Sequence, residues 1–371
     1  MSIKEPATLT KPRELASNGS PARKHWGHLP SRGGNRTAVL GAAVVLLFFV
    51  SVLLGSYTVT LPDFFTIVAN HLTGGAKIPG ASFIVMENKL PRAVVGTMIG
   101  IAFGLAGALF QAMLRNPLAS PDVIGISSGA SAAAVVAIVL FGASGAAVSG
   151  AALAGALAVA VLIYAISSGG KHRGTGRGSA AGNRLVLAGV GIAAALQAVV
   201  SFLMTRADIR TAADALVWLN GSLNSANWDR AGILFLALAV LVPAVAFVAG
   251  PLRILELGDD AAAGLGIRVN TTRLILVAIA VSLAAEATAA AGPVSFVAFL
   301  SGPIARRFTG KASLPASAFV GALIVLAADY FAANLAPLLL NGTVLPVGVI
   351  TGVLGAPFLL WLLVAANRKD A

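Results

Sequence analysis

PRAVVGTMIGIAFGLAGALFQAML, Pro91–Leu114, has one charge near its start and is then apolar except for Thr97 and Gln111. A helix needs about 20 mostly apolar residues to cross the hydrocarbon of a bilayer, and this segment is long enough. Gly96, Gly100 and Gly104 stand four apart, so they share one helix face. That smooth face lets a second helix approach closely and points to a compact bundle. The chain continues as RNPLASPD, Arg115–Asp122. Pro117 and Pro121 end the helical pattern there, and Asn116 and Ser120 favour turns. Non-helical backbone beside a membrane span must be buried in protein or face a water-filled cavity.

Similar apolar runs recur on both sides of this segment. One precedes it, from Ala38 to about Ser56. Eight follow, near Val123–Phe141, Ala146–Ile166, Leu185–Met204, Ala231–Ala249, Leu274–Ala291, Val294–Ile304, Leu314–Leu338 and Leu345–Ala366. The expectation is an all-α, polytopic membrane protein with about ten transmembrane helices. Composition agrees. Of the 371 residues 57% are hydrophobic and only 11% charged, against about 25% charged in soluble domains. That much apolar surface needs a bilayer as its solvent. Between the fifth and sixth runs, TAADALVWLNGSLNSANW is too polar to cross. It reads as a short amphipathic helix at the outer surface, with Trp218 and Trp228 at headgroup level.

Charge placement gives an orientation. With the N-terminus inside, segments 1–36, the loop at Arg115, 167–184, 250–273, 305–311 and the C-terminal end hold 20 of the 26 Lys and Arg residues. Lys77, Lys89, Arg92, Arg206, Arg210 and Arg230 are left outside. The positive-inside rule then predicts both termini in the cytoplasm. The net charge of +12 therefore sets membrane orientation and does not mark a nucleic-acid face. Residues 1–36 are polar and read as a disordered cytosolic tail, with no short apolar core of a signal peptide. Residues 37–367 read as one transmembrane permease domain.

Several chemistries lack their residues. There is no cysteine, which excludes disulfides, thiolate metal sites and cysteine nucleophiles. His25, His28, His71 and His172 show no paired-ligand spacing, so no metal site is read. ARRFTGKA has Ala305 and Ala312 where a phosphate-binding loop needs Gly and Ser or Thr, so the chain is read as non-catalytic and without a cofactor. Glu286 and Asp329 fall inside apolar runs, where a carboxylate needs a partner or water.

Six segments in order resemble the iron-siderophore, haem and cobalamin permease family of binding-protein-dependent ABC importers. They are Leu90–Ala130, Leu187–Met204, Ala215–Leu223 (ALVWLNGSL), Leu255–Val269 (LELGDDAAAGLGIRV), Ala291–Gly310 and Leu345–Leu363 (LPVGVITGVLGAPFLLWLL). Together they are spread along the chain from residue 90 to residue 363. The resemblance implies the type II ABC importer permease fold. It also implies a second permease subunit (identical or not), two cytosolic ATPase subunits, an extracytoplasmic substrate-binding protein and a ferric siderophore as cargo. Asn116, Pro117 and Leu118 match a turn at the cytoplasmic mouth of the family's translocation path. Leu257, Gly258, Ala263, Leu265 and Gly266, within the loop 250–273, match the segment that couples the family's permeases to their ATPase. Its glycine-punctuated short helix suits insertion into a partner's cleft. Lys89 and Arg92 match positions that meet acids of the binding protein. An acid in the ninth span is common in the family, as at Asp329, whereas Glu286 stands where small residues are usual. Gly302-Pro303 and GKASLP depart from the commoner family pattern and resemble a ferric-enterobactin-type, catecholate subgroup. Cobalamin or haem remain alternative cargoes. In another class, an ion-coupled secondary transporter would use Glu286 and Asp329 as its ion sites, and a scaffold without transport is a third reading.

Overall fold

The structure, a computed structural model, describes residues 32–55, 57–76, 78–122, 124–168 and 178–367. The polar tail up to residue 31, the basic loop 169–177 with His172, and residues 368–371 lie outside them. The described residues form α1 (Arg32–Leu53), α2 (Leu61–Thr73), α3 (Ala81–Leu114), α4 (Ile126–Phe141), α5 (Ala146–Ser168) and α6 (Gly178–Arg206). They continue as α7 (Ile209–Leu219), α8 (Trp228–Leu255), α9 (Asp259–Gly264), α10 (Val269–Ala291), α11 (Val297–Thr309), α12 (Leu314–Leu339) and α13 (Val347–Asn367).

Each of the ten expected spans falls on one of these helices. Among the described residues 7 helices are long and apolar enough to cross a membrane: α1, α3, α5, α6, α8, α10 and α12. The helices α4 and α13 are apolar but shorter in their apolar reach, and α11 has 13 residues. The seventh and eighth spans stay separate. Gly292 leaves α10 at φ 75°, Pro293 follows, and Phe296 enters α11 at φ 66°.

The segment read first lies at the centre. α3 is buried along most of its length and packs along α12, α10, α11 and α8. Its glycine face is what permits this. A Cβ at Gly100 would lie 2.5 Å from the Ala322 Cα of α12. At Gly104 and Gly107 it would meet the Ser317 and Ala298 carbonyl oxygens closer still. The crossing is backbone against backbone, the arrangement that small residues allow in membranes.

Two helical features depart from the sequence reading. α3 begins at Ala81, a good two turns before Pro91, and passes through Glu87, Asn88 and Lys89. It does so by widening into a π turn at Ile84–Lys89, where the Leu90 N–H bonds the Val85 carbonyl. The next donor in that pattern would be residue 91, and proline has none. The orphaned Met86 carbonyl is instead taken by the Trp228 indole N–H at 2.7 Å. Trp228 thus anchors the start of α8 to α3. The second departure is α2, which no apolar run announced. It is a surface helix capped by Thr60 at its start and by Gly74 (φ 72°) at its end, with Phe64 and Ile67 turned inward. The short helix expected between the fifth and sixth spans is present as α7, capped by the Asp208 carboxylate, which accepts from the Arg210 and Thr211 N–H groups at 3.0 and 3.1 Å. The Thr211 side chain, together with those two N–H groups, bonds the charged form and holds the Asp208 carboxyl below its ordinary range.

Candidate functional site

One end of the bundle brings together the two segments singled out for gating and coupling. α3 ends in a tight turn in which the Asn116 N–H bonds the Gln111 carbonyl at 3.1 Å and the Arg115 N–H bonds the Ala112 carbonyl at 3.2 Å. This pattern ordinarily places glycine in the left-handed position. Here that position holds Arg115, at φ 50°. A non-glycine residue there costs roughly 1–2 kcal/mol. Next, the Asn116 side chain accepts from the Leu118 N–H at 2.9 Å, fixing the Pro117 turn. Asn116 and Pro117 are exposed, Leu118 is half-buried and Ala119 is buried. Deeper in the loop Ser127 donates a hydrogen bond to Asp122, and burial pushes the Asp122 carboxyl above its ordinary range against that bond.

The coupling segment is built by two glycines. Gly258 (φ 114°) turns the chain out of α8 and Gly266 (φ 82°) turns it towards α10, with α9 between them. Ala262 is fully buried and seats α9 on the bundle. Leu257 and Leu265, 69% and 62% exposed, project on either side, and Ala263 is exposed as well. Two bare leucines flanking a short helix form a knob that water does not favour.

The residue that ties these parts together is Asp259, which the sequence reading did not single out. Its carboxylate accepts from Arg273 Nη2 at 3.0 and 3.2 Å, and Arg115 Nη2 lies 3.7 Å away. Arg273 sits in the first turns of α10, and its Nε is buried with no hydrogen-bond partner among the described residues. One carboxylate at the start of α9 therefore is hydrogen-bonded by an arginine from α10 and lies within ion-pair distance of the arginine that begins the Asn116-Pro117-Leu118 turn. The strained backbone aims its guanidinium at α9, beside Gly258.

At the opposite end Lys89 and Arg92 turn onto the chain itself. Arg92 makes a two-pronged bond to Asp329, Nε and Nη2 each 2.8 Å from a carboxylate oxygen, and its Nη1 donates to Asn224 at 2.9 Å. The pair is 19% and 10% exposed. That geometry supplies the partner a carboxylate in the ninth span needs and binds α3 to α12. Lys89 donates to the Leu54 carbonyl at 2.9 Å and also to that of Tyr57, closing the end of α1 over α3. Both residues border a cavity of about 310 Å³ shared with Asn224 and Asn334. Glu286 lies apart, half-buried within α10. Among the described residues no cluster of His, Asp or Glu is arranged to hold a metal ion.

Comparisons with known proteins fit this construction. Residues 43–365 match the FecCD transport family. The chain is 38% identical over 290 residues to the ferric enterobactin transport system permease protein FepG of Escherichia coli (strain K12), spanning 78% of this chain and 84% of that one. It is 35% identical over 337 residues to the Fe(3+)-citrate import system permease protein YfmE of Bacillus subtilis (strain 168), spanning 90% and 95%. Among solved structures, an inward-facing chain described as a metal-chelate type ABC transporter superposes with a TM-score of 0.74 at 22% identity, covering 90% of this chain and 99% of that one. At that identity the match speaks for the fold, which is that of a type II importer permease. A helical bundle of this shape, matched along nearly its whole length, makes the chain a member of the FecCD transport family.

Proposed function

We propose that this chain is the transmembrane permease subunit of an ATP-driven importer that carries ferric siderophore complexes across the cytoplasmic membrane by alternating access. The relatives named above are permeases of ferric enterobactin and ferric citrate systems, which favours a ferric chelate over cobalamin or haem. ATP is hydrolysed by a separate subunit, since the nearest approach to a phosphate loop lacks its glycine and its hydroxyl residue. The partners are a second permease, two ATPase subunits and an extracytoplasmic binding protein. Both termini lie in the cytoplasm, a placement supported by the basic bias of one set of loops.

The observation that carries this reading is the clasp at Asp259. The knob formed by Leu257, α9 and Leu265 is the docking element for the ATPase. Movement of the knob reaches the turn Asn116-Pro117-Leu118 through Asp259 and Arg115, and reaches α10 through Arg273. An ion-paired link of this kind lets one element bias another between two arrangements. At the outer mouth, Lys89 and Arg92 shape the rim that receives the binding protein. The ion-coupled alternative is weakened, because the Asp329 carboxylate is already engaged by a two-pronged bond to Arg92.

A pull-down tests the docking role. Replacing Leu257 and Leu265 with Asp puts two charges where the partner's cleft expects methyl groups. The variant is expected to insert normally and to lose co-purification of the ATPase subunit. Undiminished co-purification would remove α9 from the interface.

A further inference from the structure

Between α3, α8, α11 and the start of α12 the bundle leaves a long groove. Its floor is one face of α3, through Ile101, Leu105 and Ala108. One wall is α8, and the other is formed by α11 and the start of α12, ending at Phe319. The cavity holds about 970 Å³. Neither α6 nor α13 lines it. Along α3 it runs from Met98 to Ala112, about 21 Å at 1.5 Å per residue. Half of a bilayer's hydrocarbon is about 15 Å deep, so the groove is as deep as one leaflet and its headgroup layer.

Polarity along the groove is uneven. Apart from Gln111, Ser313 and Ser317 the lining is apolar until the end near α9, where Arg253, Arg306 and Lys311 gather with Glu256 as the one acid. Arg253 is in the last turn of α8, Arg306 is in the last turn of α11, and Lys311 is in the connection to α12. All three are exposed, and among the described residues none is in an ion pair. Three cations at the depth where helices leave the apolar slab, above a methyl-lined trough, match one amphiphile: an anion on top of hydrocarbon chains. A bulky polar iron chelate matches the mouth but not the trough. A partner helix would fill the trough but leave the cations unanswered.

We infer that this groove is a binding site for an anionic phospholipid, with its acyl chains along α3 and its phosphate held by Arg253, Arg306 and Lys311. Small side chains on α8, Ala239 and Ala246 among them, provide the width that acyl chains need. Cations at the membrane surface attract anionic headgroups by about 1 kcal/mol each, and a factor of about five in affinity corresponds to that energy. The site stands independently of the transport role.

The test is lipid titration of the purified full-length chain, read by native mass spectrometry, with phosphatidylglycerol and phosphatidylcholine of identical acyl chains. Phosphatidylglycerol is expected to bind more tightly. Arg253→Gln, Arg306→Gln and Lys311→Gln should each lower its affinity about fivefold and leave phosphatidylcholine unchanged. Arg253→Lys should retain most of the preference, which separates charge from a folding defect. Ala246→Trp, filling the trough, should weaken both lipids. Equal binding of the two lipids, or a preference untouched by the three Gln variants, overturns the inference. So does release of the bound phosphatidylglycerol by a ferric siderophore or by assembly with the second permease, since either would make the groove another ligand's site.

Discussion

Arg115 is the residue where backbone and function conflict most openly. Its left-handed position suits glycine, so Arg115→Gly should relieve strain while deleting the guanidinium that reaches Asp259. The variant is expected to melt in detergent at or above the wild-type temperature, yet to transport less cargo per ATP. A fall in both stability and coupling would reduce Arg115 to a structural part. Arg92 and Asp329 make the opposite case. Removing Arg92 alone strands a mostly buried carboxylate, at a cost of about 3 kcal/mol. Arg92→Ala should therefore lower the melting temperature sharply, and Arg92→Met with Asp329→Leu should recover most of the loss. Additive losses in the double variant would contradict the pairing. The sequence exposed Arg92 and Asp329 separately and did not single out Asp259 or Arg273. It could not join them, because Arg92 and Asp329 are 237 positions apart and nothing in local spacing links Asp259 to Arg115. The misplaced arginine after a long helix was the one local signal available.

At the scale of elements, hydrophobicity was enough to find the spans, since ten apolar runs became ten helices. It failed where a helix is held by specific bonds. α2 has 13 residues, including Asp63 and His71, and is held by its caps and by two inward side chains. The early start of α3 was hidden because Glu87, Asn88, Lys89 and Pro91 look like a loop, and only the π turn with Trp228 keeps the chain helical there. Trp228→Phe leaves the Met86 carbonyl without its donor and should cost about 1–3 kcal/mol, seen as faster amide exchange over residues 84–90. Unchanged exchange would mean the indole bond does not hold the turn. The glycine face on α3 was legible as a packing surface, and its partner, α12, was not. Gly100→Val should prevent the folded bundle from accumulating, because the obstructing atoms belong to the Ala322 backbone and have no rotamer to change. The same change at Gly250, where a Cβ meets nothing within 4 Å, should be tolerated.

For the whole molecule, the two ends of one bundle are built differently. The Arg92–Asp329 end is braced by internal bonds, and the α9 end keeps bare leucines and exposed arginines. This asymmetry fits a machine that is pushed from one side and receives cargo at the other. We propose that in it α9 acts on the Asn116-Pro117-Leu118 turn through the Asp259 carboxylate. The measurement that bears on it most directly is the amount of ferric chelate delivered per ATP hydrolysed, by the complete importer in proteoliposomes, for the wild type and Asp259→Asn. Asparagine keeps the shape and removes the charge that holds Arg115 and Arg273. Asp259→Asn is expected to assemble normally and to keep hydrolysing ATP, with delivery per ATP reduced several-fold. Delivery per ATP equal to that of the wild type would contradict it.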